Sequence, residues 1–248
     1  VDESEYANIA RSEGAHWWYA GMRAIAAGWL RGLPLGRAPA PARILDAGCG
    51  AGGGLDWLSA FGRTYGADLH PLALRLASAR GRPPLARADV QALPFASRAF
   101  DAVASFEVLC QLPEGRDVAA LREFARVLRP GGWLLLRLPA HPWLRGAHDL
   151  CVRTRHRYSR AEVLAKLRDA GLVPVRASYA NALLLLPAAL WRLLQRALRR
   201  PPASDVRMPP APLNALLAAL LLAEGRWLRG RDLPVGLSVL ALARKSPS

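Results

Sequence analysis

Short apolar runs alternate with longer amphipathic stretches along most of the chain. Runs at 43 to 47, 64 to 68, 85 to 89, 101 to 106 and 132 to 138 have strand length, and helical stretches separate them. That rhythm predicts βαβ units and a parallel sheet covered on both faces. Over 117 to 129, Val118, Leu121, Ala125 and Leu128 share one helical face before Pro130, Gly131 and Gly132 stop the helix. Ser159, with Glu162 three residues later, predicts a capped helix that ends at Gly171. A last strand is expected over 236 to 243.

Two regions depart from the rhythm. Residues 1–41 read as a helical cap carrying the aromatic knot HWWYAGMR, and the loop GLPLGRAPAPA separates it from a core over 42–175. Residues 176–235 read as an apolar, arginine-rich helical insertion with the proline linker RRPPASDVRMPPAP in its middle, and 236–248 as the final strand and tail of the core. In the insertion Arg192, Gln195, Arg196 and Arg199 fall opposite Leu186, Leu190, Leu194 and Leu198, an amphipathic basic helix.

Composition narrows the class. A chain of 248 residues suits one α/β domain with an elaboration, and 52% hydrophobic with 21% charged residues describes a packing chain. The formal charge of +15 has two readings: a polyanionic partner, or an arginine-rich composition in which Lys166 and Lys245 are the only lysines. The cysteines Cys49, Cys110 and Cys151 lack disulfide or metal-ligand patterning, so no metal site is expected and a reducing cytoplasm is. No secretory leader is apparent, and the longest apolar run, Leu183 to Leu194, is interrupted by Pro187 and Arg192. The expected location is cytoplasmic, with peripheral contact to membrane through the insertion.

The stretch RILDAGCGAGGG at 43 to 54 places Asp46 at a strand end and Gly48, Gly50, Gly52 and Gly53 at the entry to a helix. Gly48, Gly50 and Gly53 also satisfy the dinucleotide pattern GxGxxG, so an NAD-dependent dehydrogenase is weighed on the same residues. Asp46 separates the two, because a carboxylate beside the helix N-terminus repels a pyrophosphate but suits the sulfonium and ammonium groups of S-adenosylmethionine. Asp68 and Asp89 end the next two strands, at spacings that suit ribose hydroxyls and an exocyclic amine.

DAGCGAG, GADLH, ADVQALPF, FDAVASFEVL and VLRPGGWLLLRLP resemble the successive signatures of class I methyltransferases, particularly the methyltransferase type 11 group. The resemblance covers residues 42 to 139. It implies an α/β fold with a Rossmann-like, mostly parallel seven-stranded sheet, helices on both faces, an N-terminal helical cap and a helical insertion before the last strand. It implies S-adenosyl-L-methionine as cofactor, with S-adenosyl-L-homocysteine as product. Asp46, Gly48, Cys49 and Gly50 then line the methionine side, Asp68 and Leu69 the ribose, Asp89 and Val90 the adenine, and Ser105, Phe106 and Glu107 the floor below the sulfonium. HWWYAGMR is similar to an N-terminal aromatic segment of related bacterial enzymes, which brings Tyr19 and Arg23 to the methionine carboxylate. Gln111 stands where such proteins often have a histidine, so no base is assigned there.

The acceptor is read from the loop after the fifth strand. His148, His156 and Tyr158 are the candidate catalytic residues, near His141, Asp149 and Arg157, since ligands of parallel sheets gather at that end. HRYSRAEVL resembles the corresponding segment of the same relatives and favours His156 and Tyr158. The fourth strand lacks the Asn or Asp, Pro, Pro, aromatic tetrad of base-amine methyltransferases, and the aromatics are not interleaved with the basic insertion. Nucleic acid is therefore disfavoured. A small-molecule, lipophilic or lipid-linked acceptor, methylated at oxygen or nitrogen, fits the insertion, with its arginine face on anionic membrane. RNA methylation and a noncatalytic or peripheral-membrane binding protein on the same fold stand as alternatives.

Overall fold

A computed structural model describes residues 3–36, 40–79, 84–197 and 206–247. Two helices, α1 (Glu3–Ser12) and α2 (Trp17–Leu30), precede β1 (Arg43–Ala47), α3 (Gly53–Leu58), β2 (Arg63–Asp68), α4 (Pro71–Ser78) and β3 (Leu85–Arg87). Then come β4 (Phe100–Phe106), α5 (Arg116–Val127), β5 (Leu128–Pro139), the short α6 (Ala147–Cys151) and α7 (Arg160–Asp169). The chain closes with β6 (Leu172–Ala180), α8 (Leu185–Ala197), α9 (Ala211–Trp227) and β7 (Ser238–Lys245). The strands form one sheet in the order β3-β2-β1-β4-β5-β7-β6, parallel except for β7, which runs antiparallel to both neighbours.

Each face of the sheet is sealed by its own helices. On one, Leu121 and Phe124 of α5 and Val163 and Leu167 of α7 pack with Phe100, Leu134 and Leu136. On the other, Met22, Ile25 and Trp29 of α2 and Leu221 of α9 cover Ile44, Ala104, Leu135 and Leu240. Small residues let α2 and α9 approach closely: a Cβ on Gly21 would lie 2.3 Å from Leu221 Cβ, and one on Gly225 3.2 Å from Ile25. Trp29 Nε1 donates to the Leu228 carbonyl at 2.9 Å, satisfying the one polar atom of a buried indole. Thus α2 and α9 cover the sheet itself, while α1, through Tyr6 and Ile9, and α8, through Ala188 and Trp191, stand over the strand ends.

Three expectations are revised. The buried stripe of α5 is Ala120, Leu121, Phe124 and Val127, while Val118 and Ala125 are half-buried, because Phe124 sets which side faces the sheet. Leu128 already belongs to β5, whose backbone extends through Pro130 to Gly132. β6 crosses the boundary expected at 175: Pro174 lacks an N–H and Val173 and Val175 are exposed, so the segment hides its strand character as an edge strand does. The cap of α7 forms as predicted, with Ser159 Oγ accepting from Glu162 N at 3.1 Å.

On α8, Leu186, Leu190 and Leu194 are exposed, Leu186 by 80%. Leu198 and Arg199 lie outside the described residues, as do the side chains of Gln195 and Arg196. No helix among the described residues is long and apolar enough to cross a membrane.

Candidate active site

The strand order reverses between β1 and β4, and at such a switch point the connections on either side diverge and leave a crevice at the carboxyl ends of the strands. A cavity of about 850 Å³ occupies it. Because β3, β2 and β1 are adjacent and parallel, their ends set Asp46, Asp68 and Asp89 along one wall.

The turn after β1 is shaped by contacts that glycine allows. Gly48 has φ 85°, and a Cβ there would lie 2.2 Å from Val108 Cγ2. Its N–H and that of Cys49 both donate to the Ala67 carbonyl, at 2.7 and 3.0 Å. At the start of α3, a Cβ on Gly54 would lie 2.2 Å from Asp46 Oδ2, so the helix can approach the carboxylate only without a side chain. Asp68 ties the turn to β2: it accepts from Gly50 N and from His70 N, each at 2.9 Å. Asp89 accepts from Gln91 N at 2.9 Å and from Gln91 Nε2, which fixes its carboxylate at the far wall.

Burial, and then the neighbouring Asp68 charge, push the Asp46 pKa from 3.8 up to about 7. Asp68 is also raised by burial, against the lowering effect of its bonds from His70 and Gly50. Two desolvated carboxylates in one wall disfavour a second anion and favour a cation. The wall therefore fits the sulfonium and ammonium of S-adenosylmethionine and does not fit a pyrophosphate.

The cavity brings together the other residues expected around that cofactor. Gly48, Cys49, Gly50, Leu69, Val90 and Phe106 line it, and Tyr19 and Arg23 reach it from α2. Phe106 meets Trp57 with ring centroids 5.9 Å apart, closing the floor. Burial, reinforced by Glu13, raises the Tyr19 hydroxyl above its ordinary range and keeps it a neutral donor.

The residues expected to be catalytic are placed differently. Tyr158 does not line the cavity: it is buried in the α5–α7 core, where its hydroxyl contacts Asp117 Oδ2 at 3.1 Å and donates toward the Leu109 carbonyl. His156 does not line it either, being 45% exposed and paired through Nε2 with Glu162 at 2.7 Å. The cause is a turn of the loop, whose Arg155 and His156 N–H groups both bond the Cys110 carbonyl. His148 lies in α6, with its side chain outside the described residues. His141 stacks on Tyr179 at 4.9 Å, away from the cavity.

Other residues line the cavity beyond β4. Glu107, at φ 59°, faces the cavity and pairs with Arg137 Nε at 3.0 Å. Burial raises its pKa, and Arg137 opposes the rise. Arg137 also lies over the Trp18 and Phe106 rings at 4.8 and 4.9 Å. Arg157 and Asp149 form a buried two-pronged pair, and Arg153, Arg155, Trp191 and Arg192 also line the cavity. Asn181, 1% exposed, lines the cavity with an unpartnered Oδ1, a loss of about 1–3 kcal/mol that a bound ligand can recover. The sequence carried no signal for Asn181, which lacks a motif, whereas Glu107 lies in FDAVASFEVL and was expected only below the sulfonium. Arg157 and Arg192 were read in other settings, beside the loop histidines and on the basic helix, while Arg153 and Arg155 were visible only as excess charge.

Residues 45–136 match a family described as a methyltransferase domain. The chain carries a class I, S-adenosylmethionine-dependent methyltransferase domain. A phthiotriol/phenolphthiotriol dimycocerosates methyltransferase of Mycobacterium leprae is 38% identical over 98 residues, 37% of this chain and 36% of its own. The chain thus spans about a third of the length of that relative. A malonyl-[acyl-carrier protein] O-methyltransferase of Enterobacter lignolyticus is 35% identical over 159 residues, 60% of this chain and 59% of its own. Among solved structures, a complex of the Haloferax volcanii Trm112 methyltransferase activator with a putative methyltransferase aligns with a TM-score of 0.63, 21% identity and coverage of 98% and 95%. At that identity the likeness concerns the fold.

Proposed function

We propose that the protein transfers a methyl group from S-adenosylmethionine to a small or lipophilic acceptor. The observation that carries this is the acid wall of Asp46, Asp68 and Asp89 in a cavity that also takes in Phe106, Glu107 and Arg137. When bound, the cofactor supplies a methyl group on a positively charged sulfur. Asp46 balances the positive charge, Asp68 accepts from the ribose, and Asp89 and Val90 bracket the adenine. Tyr19 and Arg23 close over the methionine end from α2. Phe106 and Trp57 keep water from the floor, which strengthens each of these polar contacts.

Methyl transfer depends chiefly on alignment of acceptor, methyl and leaving sulfur, so holding two ligands in one cavity accounts for much of the catalysis. The cavity-lining histidines are engaged elsewhere: His16 Nδ1 accepts from Trp18 N and its Nε2 contacts the Arg207 carbonyl, while His70 Nδ1 accepts from Leu72 N. For a hydroxyl acceptor, Glu107 is the group we place to receive the proton, with Arg137 holding its carboxylate in line.

The lipophilic character rests on α8, where Ala188 and Trp191 line the cavity while Leu186, Leu190 and Leu193 are exposed. The names of the relatives, which include methyltransferases of phthiotriol dimycocerosates and of an acyl-carrier-protein substrate, agree with it. We place α8 against a membrane or a lipid carrier, from which the acceptor passes under Trp191. Transfer of label from methyl-labelled S-adenosylmethionine into lipid-extractable product tests the reading. No transfer to amphiphiles, with transfer to RNA, would replace it by the nucleic-acid alternative.

A further inference from the structure

Asn181 follows β6, at the other end of the strand order from the acid wall that β1, β2 and β3 set up. It lines the cavity and is 1% exposed, yet among the described residues nothing bonds its Oδ1. Its φ is 63°, a left-handed backbone that Asn tolerates better than most residues and that glycine adopts freely. In such turns an Asn side chain ordinarily bonds a nearby backbone group and steadies the turn.

Here other groups do that. Glu224 of α9, itself 5% exposed, accepts from the Asn181 N–H, from Ala182 N at 2.8 Å and from Leu183 N at 3.3 Å. The Asn181 carbonyl accepts from Leu237 N at 3.4 Å. The turn therefore has no need of the amide, and glycine would serve it equally well. Buried polar groups are nearly always partnered, so this exception calls for a partner that binding supplies. Its place in the sheet says which part of a ligand that is. β4, β5, β7 and β6 are successive neighbours, which puts Asn181 three strand intervals, about 14 Å, from Glu107 at the end of β4. Pro139 and Ser238, paired where β5 meets β7, line the cavity between them.

We propose that Asn181 is a specificity-determining residue whose Oδ1 accepts a hydrogen bond from a hydroxyl or amide N–H of the acceptor, at a point remote from the atom that is methylated. The inference rests on the methyltransferase reading above and adds to it a second polar group on the acceptor. That group must donate, because an ether oxygen or a carbonyl would meet Oδ1 lone pair to lone pair. A site that keeps a buried polar atom for its ligand rejects an analogue lacking the matching group far more strongly than an apolar pocket rejects a change of one methylene.

The test is binding, measured by calorimetry on the full chain with and without S-adenosylhomocysteine. Octan-1-ol, 1-methoxyheptane and octan-2-one match in heavy-atom count, and of the three only the alcohol donates. The expected result is that the alcohol binds at least about fivefold more tightly than either of the others, and that Asn181→Gly, which keeps the left-handed backbone, brings all three within about twofold. Equal binding of the three by the wild-type chain leaves water as the partner of the amide and overturns the proposal. Preference for the ketone also overturns it, since it means that the amide is turned and presents Nδ2. So does an alcohol preference that Asn181→Gly leaves intact, which places the donor elsewhere in the cavity. Thermal denaturation is read on the same variant: a Tm lowered by more than about 5 °C assigns the amide to the fold and overturns the proposal as well. S-adenosylhomocysteine affinity in Asn181→Gly is expected to stay within about twofold of the wild type, given the distance from the acid wall. Failure of the wild-type chain to bind S-adenosylhomocysteine would count against the methyltransferase reading alone, because the three probes are read on the free protein too.

Discussion

Gly50 donates its backbone N–H to Asp68 Oδ2 at 2.9 Å, so the turn after β1 is held by the acid that ends β2. One side chain thus shapes the glycine turn and presents a carboxylate to the cavity. Asp68→Ala removes both effects, and cofactor affinity is expected to fall by about tenfold to a hundredfold, given that bonds to charged groups contribute about 1.5–3 kcal/mol each. Asp68→Asn keeps an acceptor for one backbone N–H and should lose less. Calorimetry on the two variants checks the order.

The pH dependence follows from Asp46. In the free protein its pKa is about 7, and a bound cation favours the ionised form. Below that value binding must release a proton, so affinity weakens as pH falls, by roughly tenfold per pH unit well below 7, and levels off above it. For stability the sign is opposite. Between 3.8 and about 7 the folded chain holds a proton that the unfolded chain has released, so this group makes the free protein less stable as pH rises through that window. Titrations in buffers of different ionisation enthalpy detect the proton, and Asp46→Asn should abolish its release.

Glu107→Gln separates chemistry from binding. With a hydroxyl acceptor the variant should lose about a hundredfold or more in kcat, the usual scale of a lost base, with S-adenosylhomocysteine affinity little changed. His156→Gln, in a residue paired with Glu162 outside the cavity, should leave kcat within about twofold. The reverse pattern would return the base to the loop histidine.

Arg157→Met tests the cavity beyond β4 as structure. Asp149 is 1% exposed, and losing its partner leaves a buried charge, at a cost of about 3–5 kcal/mol. Replacing both, with Arg157→Met and Asp149→Leu, should recover most of that stability. Chemical denaturation of the three proteins measures it.

The legible part of the sequence was the part with local periodicity or a fixed motif. Strands β1 to β5 follow short apolar runs, and Asp46, Asp68 and Asp89 are readable because each ends one of three consecutive strands that pair in order. What escaped depends on contacts distant in sequence. Pro174 disguises β6, and α9 reads as a lid although Gly21 and Leu221, 200 positions apart, seat it on α2 above the sheet. The surroundings of the loop after β5 escaped for the same reason. His156 and Tyr158 stand in a favourable loop, but bonds to the Cys110 carbonyl turn His156 outward and Asp117 draws the Tyr158 hydroxyl into the core. Asn181 gains meaning only when β6 ends beside the cavity, and the pairing of Glu107 with Arg137 only when β4 and β5 are set side by side.

The central claim is that the acid wall holds a cationic adenosyl ligand. Calorimetric titration of the full chain with S-adenosylmethionine, its demethylated product and NAD tests it most directly. The account predicts saturable binding of the first two at one site, tightening from pH 6 to pH 7.5 for the methylated form, and no binding of NAD. Tight NAD binding by the folded chain, with no heat from either adenosyl ligand, would contradict it.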